Sequence, residues 1–234
     1  MSPTVTRSYV DQDLCWFMAV HRDARQAVRC LGELRACYPD ARVIVRSDGD
    51  RDPLLSTFPD RFGVELHLED RLLPVEHGGA AVKRMLVLFE ERPTDYLVKI
   101  DPDSVVQRRF HRLPAGESIS GTLQGRMPEV SIQGGGLGIT RGSVRRILES
   151  GLLDEPALRH PDRRRGESRY WDVLAARADR CGLASFDWTL GWIASELSIA
   201  LVEFDEINSR WEEETDNTDG RYALTHPVAT RSKA

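Results

Sequence analysis

Tyr96-Leu97-Val98-Lys99-Ile100-Asp101-Pro102-Asp103-Ser104 decides how this chain is read. The first five residues form a short, mostly apolar run with the character of a buried strand. That run leads straight into two carboxylates one residue apart. Carboxylates this close at the end of a buried strand repel one another, and a divalent cation relieves the repulsion. Hard oxygen ligands suit Mg²⁺ or Mn²⁺. The same residues have a plain structural use as a turn, in which Asp accepts backbone hydrogen bonds beside Pro.

Upstream, strands and helices alternate. Gly78-Gly79 opens a helix with Val82, Met85, Leu86 and Phe89 on its apolar face. Val64 to Leu68 alternates like a strand. Val43-Ile44-Val45 is another strand, ending in the turn Ser47-Asp48-Gly49-Asp50. Ala24 to Tyr38 has helical spacing, with Ala24, Ala27, Val28, Leu31 and Leu34 on one face, and Pro39 stops it. Leu14 to Val20 is an apolar run bounded by Asp13 and His21-Arg22-Asp23, and reads as a buried strand. This order predicts an α/β protein with a largely parallel sheet covered on both faces. Ligands of such sheets bind outside the carboxyl ends of the strands. His21, Asp48 and Asp101 all follow predicted strand ends, so they should converge on one rim.

Downstream, Ile119 to Leu123 and Gly136 to Thr140 are expected strands and Ser143 to Ser150 a helix. Arg159 to Arg169 reads as a charged loop, with Arg163-Arg164-Arg165 either solvated or closing over an anion. Tyr170 to Cys181 is amphipathic, with Gly182 as its C-cap. Ala200 to Phe204 is a late strand, and the acidic, polar end of the chain carries Thr225-His226-Pro227. No linker interrupts the chain, so residues 1–234 are expected to form one domain.

The 234 residues carry 32 basic and 37 acidic side chains, a formal net charge of −5. A mildly acidic chain is poorly suited to nucleic acid, whose binding rests on neutralising phosphates with Lys and Arg. It can still take a phosphate-bearing ligand through a metal. No apolar run approaches the roughly 20 residues of a membrane helix, and the polar stretch from Met1 to Asp13 lacks a signal peptide's apolar core. Cys15, Cys30, Cys37 and Cys181 have neither CxxC nor zinc spacing, and suit reduced, mostly buried thiols of a cytoplasmic protein.

Taken together, the Phe17-Met18-Ala19-Val20-His21 strand end, Ser47-Asp48-Gly49-Asp50, Gly78 through Arg84 and Asp95 through Val106 resemble the nucleotide-sugar-binding half of GT-A glycosyltransferases. Gln133-Gly134-Gly135-Gly136-Leu137-Gly138-Ile139-Thr140 is similar to the glycine-rich segment that borders donor sugar and acceptor in that superfamily. The resemblance spans most of residues 14–140. It implies a three-layer α/β/α, Rossmann-like fold with a mostly parallel mixed central sheet. Residues of about 10–140 would be the nucleotide-sugar-binding half, and about 141–234 the acceptor side.

The implied activity is a metal-dependent, hexosyltransferase-like transfer from a UDP- or GDP-sugar donor to an acceptor hydroxyl. Asp103 would coordinate Mn²⁺ or Mg²⁺ directly. Asp101 would contact the ribose, or the metal directly or through water. His226 is the candidate for a C-terminal histidine ligand. Asp48 would sit by the base or ribose, with Val20 and His21 lining the nucleoside pocket. Lys83 or Arg84 would stand near the nucleotide, and Gly135 and Gly136 near the donor sugar. An inverting enzyme also needs a carboxylate base. Asp172 fits best, with Glu167 and Asp187 in reserve, whereas a retaining enzyme would need no such base. Two other readings remain. A nucleotidyltransferase would want a Gly-rich basic loop after the first strand, and no glycine occurs there before Gly32. A non-catalytic glycan- or partner-binding module would show no turnover.

Overall fold

The computed structural model describes residues 6–72, 78–126, 129–154, 186–209 and 220–226, with 126 and 129 described by backbone alone. The short edge strand β1 (Thr6–Arg7) precedes β2 (Leu14–Val20), α1 (Ala24–Cys37) and β3 (Arg42–Asp48). Next come α2 (Phe58–Phe62), β4 (Glu65–Glu69), α3 (Gly78–Glu90) and β5 (Tyr96–Ile100). Then follow β6 (Val105–Val106), β7 (Leu113–Pro114), β8 (Ser118–Arg126), β9 (Glu129–Thr140) and α4 (Arg141–Glu149). The last described elements are α5 (Phe186–Glu196), β10 (Ala200–Glu203), β11 (Ile207–Asn208) and β12 (Leu224–Thr225).

Seven strands form the central sheet in the order β10-β8-β9-β5-β2-β3-β4. β5, β2, β3 and β4 are mutually parallel. β9 runs against both its neighbours, and β10 is parallel to β8. The sheet is therefore mixed but mostly parallel. Side chains of β2 alternate between its faces. Leu14, Trp16 and Met18 pack with Leu31 and Leu34 of α1 and with Phe58. Cys15 and Phe17 pack on the other face with Val82, Leu86 and Phe89 of α3, Val144 of α4 and Leu190 of α5. Helices thus cover both faces, and each fully buried Leu or Phe contributes about 1.5–3 kcal/mol of burial free energy.

The chain leaves β2 towards β3 and β4 on one flank, then returns to place β5 on the other. The carboxyl ends of β2 and β5 consequently flank a topological switch point, where a crevice opens in sheets of this kind. His21 and Asp101 both lie there.

Two expectations shift. Ser47 and Asp48 belong to β3 and not to the turn, because β4 runs alongside as far as the Asp48–Glu69 pair. The turn begins at Gly49, whose φ of 76° favours glycine. Gly134, Gly135 and Gly136 lie inside β9, which starts at Glu129, well before the expected Gly136. Gly136 pairs with Ile100 of β5, while Gly134 and Gly135 lie where the register between β9 and β8 shifts. The segments 159–169 and 170–181, with Asp172, Glu167, Trp171, Cys181 and Arg163-Arg164-Arg165, lie outside the described residues, as does Trp211. Cys15, Cys30 and Cys37 are free thiols. Burial pushes Cys15 up to about 12, which leaves it unreactive. No helix among the described residues is long and apolar enough to cross a membrane.

Candidate metal centre

A three-stranded sheet, β11-β12-β6, builds the site. β6 begins two residues after Asp103, and β12 pairs with it antiparallel, with Thr225 opposite Val105. That register carries the next residue, His226, alongside the Asp101–Ser104 turn. The His226 N–H donates to the Asn208 carbonyl at 2.9 Å, which fixes its backbone.

The His226 ring is almost wholly buried, and its Nε2 lies 3.3 Å from Asp101 Oδ2 and 3.1 Å from Asp103 Oδ1. One ligand atom from each of Asp101, Asp103 and His226 falls within 4.8 Å of the others. Two carboxylate oxygens and an imidazole nitrogen form a donor set able to hold a divalent metal ion. The turn is rigid. The Asp101 N–H donates to Ser104 Oγ at 3.1 Å, and the Ser104 hydroxyl donates to the Gly135 carbonyl at 3.1 Å. Arg29 Nη2 donates to the Asp103 carbonyl at 2.7 Å.

Lys99, given no role by sequence reasoning, points into the same site. Its ammonium bonds Asp101 and the Gly134 carbonyl, and stands 5.3 Å from the centroid of the Phe186 ring. A lysine in an apolar strand was the available signal, since its head group needs a partner when buried. Burial alone would raise the Asp101 carboxyl. The Lys99 charge and the His226 hydrogen bond outweigh burial and hold it down to about 2.

The glycine run faces three neighbours in turn. A Cβ on Gly134 would collide with the Asp187 carboxylate, and one on Gly135 would lie 2.5 Å from His226 Cγ. A Cβ on Gly136 would meet Leu224 at 2.9 Å and Ile207 at 3.2 Å. The absent side chains therefore admit Asp187, the His226 ring and the small sheet. Asp187, in the first turn of α5, takes hydrogen bonds from the Gly134 backbone and Gln124. Burial chiefly, with Asp101's negative charge adding, raises its carboxyl above the ordinary value. Asp23 faces the site from the start of α1. Burial, reinforced by Asp101 and Asp103, pushes it up to about 6.

The other sequence candidates are not part of this cluster. Asp48 is buried, its Oδ1 held by Arg46 at 2.9 Å and by the Leu72 N–H at 2.7 Å. Val20 is wholly buried in the α1-side core. Lys83 pairs with Asp154 at 2.5 Å, and Arg84 with Glu69. The base candidate Asp172 lies outside the described residues.

Burial favours a neutral His226, but its hydrogen bonds to Asp101 and Asp103 prevail and raise it from 6.5 to about 9. In the metal-free protein this proton stabilises the fold below pH 6.5, and the contribution is lost as pH rises through about 9. A metal must displace the same proton. Apparent Mn²⁺ affinity is therefore expected to rise about tenfold per pH unit between roughly pH 6.5 and 8.5. Calorimetric titration across that range checks it, and a flat profile would remove His226 from the ligand set.

Comparison with protein-family models finds no match, and comparison with curated proteins finds none either.

Proposed function

We propose that this chain is a GT-A-like, metal-dependent glycosyltransferase. It moves a sugar from a nucleotide-diphospho-sugar, a UDP- or GDP-sugar, to a hydroxyl of a small acceptor or glycan. The observation that carries the reading is the convergence of Asp101, Asp103 and His226 at the crevice where the order of parallel strands reverses. A cation held there supplies Lewis-acid charge for the donor's diphosphate. Lys99 holds Asp101 in its ligating orientation and adds a positive charge beside the site.

Asp187 is the general base in this reading. Its carboxyl, beside Gly134 and near Lys99 and Asp101, is raised by burial and so is a stronger proton acceptor than an ordinary aspartate. The acceptor hydroxyl gives its proton to Asp187, and its oxygen bonds to the anomeric carbon. The carbon–oxygen bond to the diphosphate breaks, and the diphosphate departs with the electron pair. A direct displacement of this kind inverts the anomeric centre.

Thermal unfolding with UDP, GDP, dTDP or CMP, each with and without Mn²⁺, tests the assignment. A nucleotide diphosphate at about 100 times its Kd is expected to raise Tm by about 5–10 °C, and only with the metal. No shift with any nucleotide sinks the proposal. A shift without turnover of any nucleotide sugar would favour the binding-module alternative.

A further inference from the structure

The turn after β2 is held by side chains from three directions. The His21 N–H donates to Asp23 Oδ1 at 2.8 Å, and the Arg22 N–H donates to Asp50 Oδ2 at 2.9 Å. His21 Nδ1 lies 2.9 Å from the Asp48 carbonyl oxygen. Arg22 has a φ of 63°, an uncommon conformation for a non-glycine residue that these bonds enforce. Asp50 is itself anchored, with its carbonyl accepting from Ser47 Oγ at 2.6 Å and its Oδ1 from the Asp52 N–H at 2.9 Å. The His21 ring is therefore preorganised.

The partner of Nδ1 determines what the ring's far edge offers. A carbonyl oxygen only accepts, so Nδ1 carries the hydrogen, and Nε2 of the neutral ring is left with a lone pair. Nε2 has no hydrogen-bond partner among the described residues, and the ring is half-buried at the rim. β2 lies between β5, which leads into Asp101 and Asp103, and β3, which ends at Asp48. A ligand whose diphosphate lies on the metal site can thus extend its nucleoside across His21. The Asp48 carboxylate, engaged by Arg46 and Leu72, is not presented there.

Resting on the nucleotide-sugar reading of this site, we infer that His21 Nε2 selects the nucleobase by accepting a ring N–H. Uracil and thymine offer N3–H, and guanine offers N1–H, each beside a carbonyl. Cytosine N3 and adenine N1 carry lone pairs there, and would face the Nε2 lone pair across the contact. A buried acceptor left unpaired or opposed by another acceptor discriminates more sharply than a missing apolar contact.

Titration calorimetry in saturating Mn²⁺ with UDP, GDP, CDP and ADP tests this, since the diphosphate is common to all four. Wild type is expected to bind UDP or GDP at least about tenfold more tightly than CDP and ADP. In His21→Phe, which keeps a flat ring but no acceptor, the four affinities should converge to within about threefold. The preferred nucleotide methylated at its ring nitrogen gives a second measurement on unaltered protein, and should bind about tenfold more weakly than its parent. Equal wild-type affinity for all four, a preference surviving in His21→Phe, or indifference to the ring methyl overturns this inference and leaves the metal and nucleotide-sugar assignment standing. Absence of Mn²⁺-dependent binding by any of the four overturns both.

Discussion

Asp103→Ala is expected to abolish metal binding while leaving the fold intact. The Asp103 carboxylate supplies one of three candidate ligand atoms, and its side chain is 35% exposed. The bonds that hold its turn run through other groups: the Asp103 carbonyl to Arg29, the Asp101 N–H to Ser104, and the Ser104 hydroxyl to Gly135. Removing the carboxylate takes away a ligand and one of the two carboxylates on the buried His226 ring, which keeps Asp101 at 3.3 Å. Mn²⁺ affinity should fall by more than about 100-fold, since even groups behind the ligands are worth 10–100-fold. Nucleoside diphosphates should lose their metal-dependent binding with it. Calorimetry reads both quantities, and unchanged Mn²⁺ affinity would falsify the site. Asp101→Ala is a poorer probe. It takes the only carboxylate among the described residues that pairs with the nearly buried Lys99 ammonium, which keeps the Gly134 carbonyl and the Phe186 ring, and so confuses lost ligation with disturbed folding.

Asp187→Asn should lower the rate of sugar transfer about 10²–10⁴-fold, the range for loss of a general base. The amide is nearly isosteric with the carboxylate, so it still fits against Gly134, where α5 meets β9. Donor binding in Mn²⁺ should therefore persist within a few-fold, as expected for a group that acts on the acceptor proton. The pH profile carries a second signature. Wild-type transfer should decline as pH falls through the raised Asp187 value, because only the carboxylate accepts a proton. Asp187→Asn should lose that limb. Transfer at the wild-type rate in this variant would return the role to Asp172 or Glu167, or to a retaining mechanism without a base.

The strands and helices of the first half were legible because their signals are local. β2 and β5 have the boundaries expected from their apolar runs, and α1 ends just before Pro39. The paired carboxylates after β5 were legible for the same reason, since the two acids stand one residue apart at a strand end, whether they serve a cation or a turn. Gly134 to Gly136 was legible only as a demand for close approach. Which groups approach depended on elements far along the chain: Asp187 comes from α5, and His226 from a strand paired next to the DxD turn.

His226 entered the sequence reading through resemblance alone. A lone histidine between Thr225 and Pro227 has no periodicity to announce it, and the antiparallel register of β12 on β6 is what brings it to Asp103. Lys99 was visible, yet its full role was not: Asp101 stands two residues along, but the Gly134 carbonyl that also takes its ammonium comes from the neighbouring strand β9. Asp48 had the opposite fate. Its place at a strand end was readable, but not that Arg46 and Leu72 would occupy its carboxylate.

By itself, then, the sequence determined the alternation of elements, the switch-point rim and the acidic pair, all set by residues within a few positions of one another. The tertiary structure alone decided the approach of His226 to the acidic pair, the Gly134 partner of Lys99, the carboxylate beside the glycines and the tautomer of His21. Each of these depends on the register between segments tens to more than a hundred residues apart, and register is fixed by packing across the whole sheet.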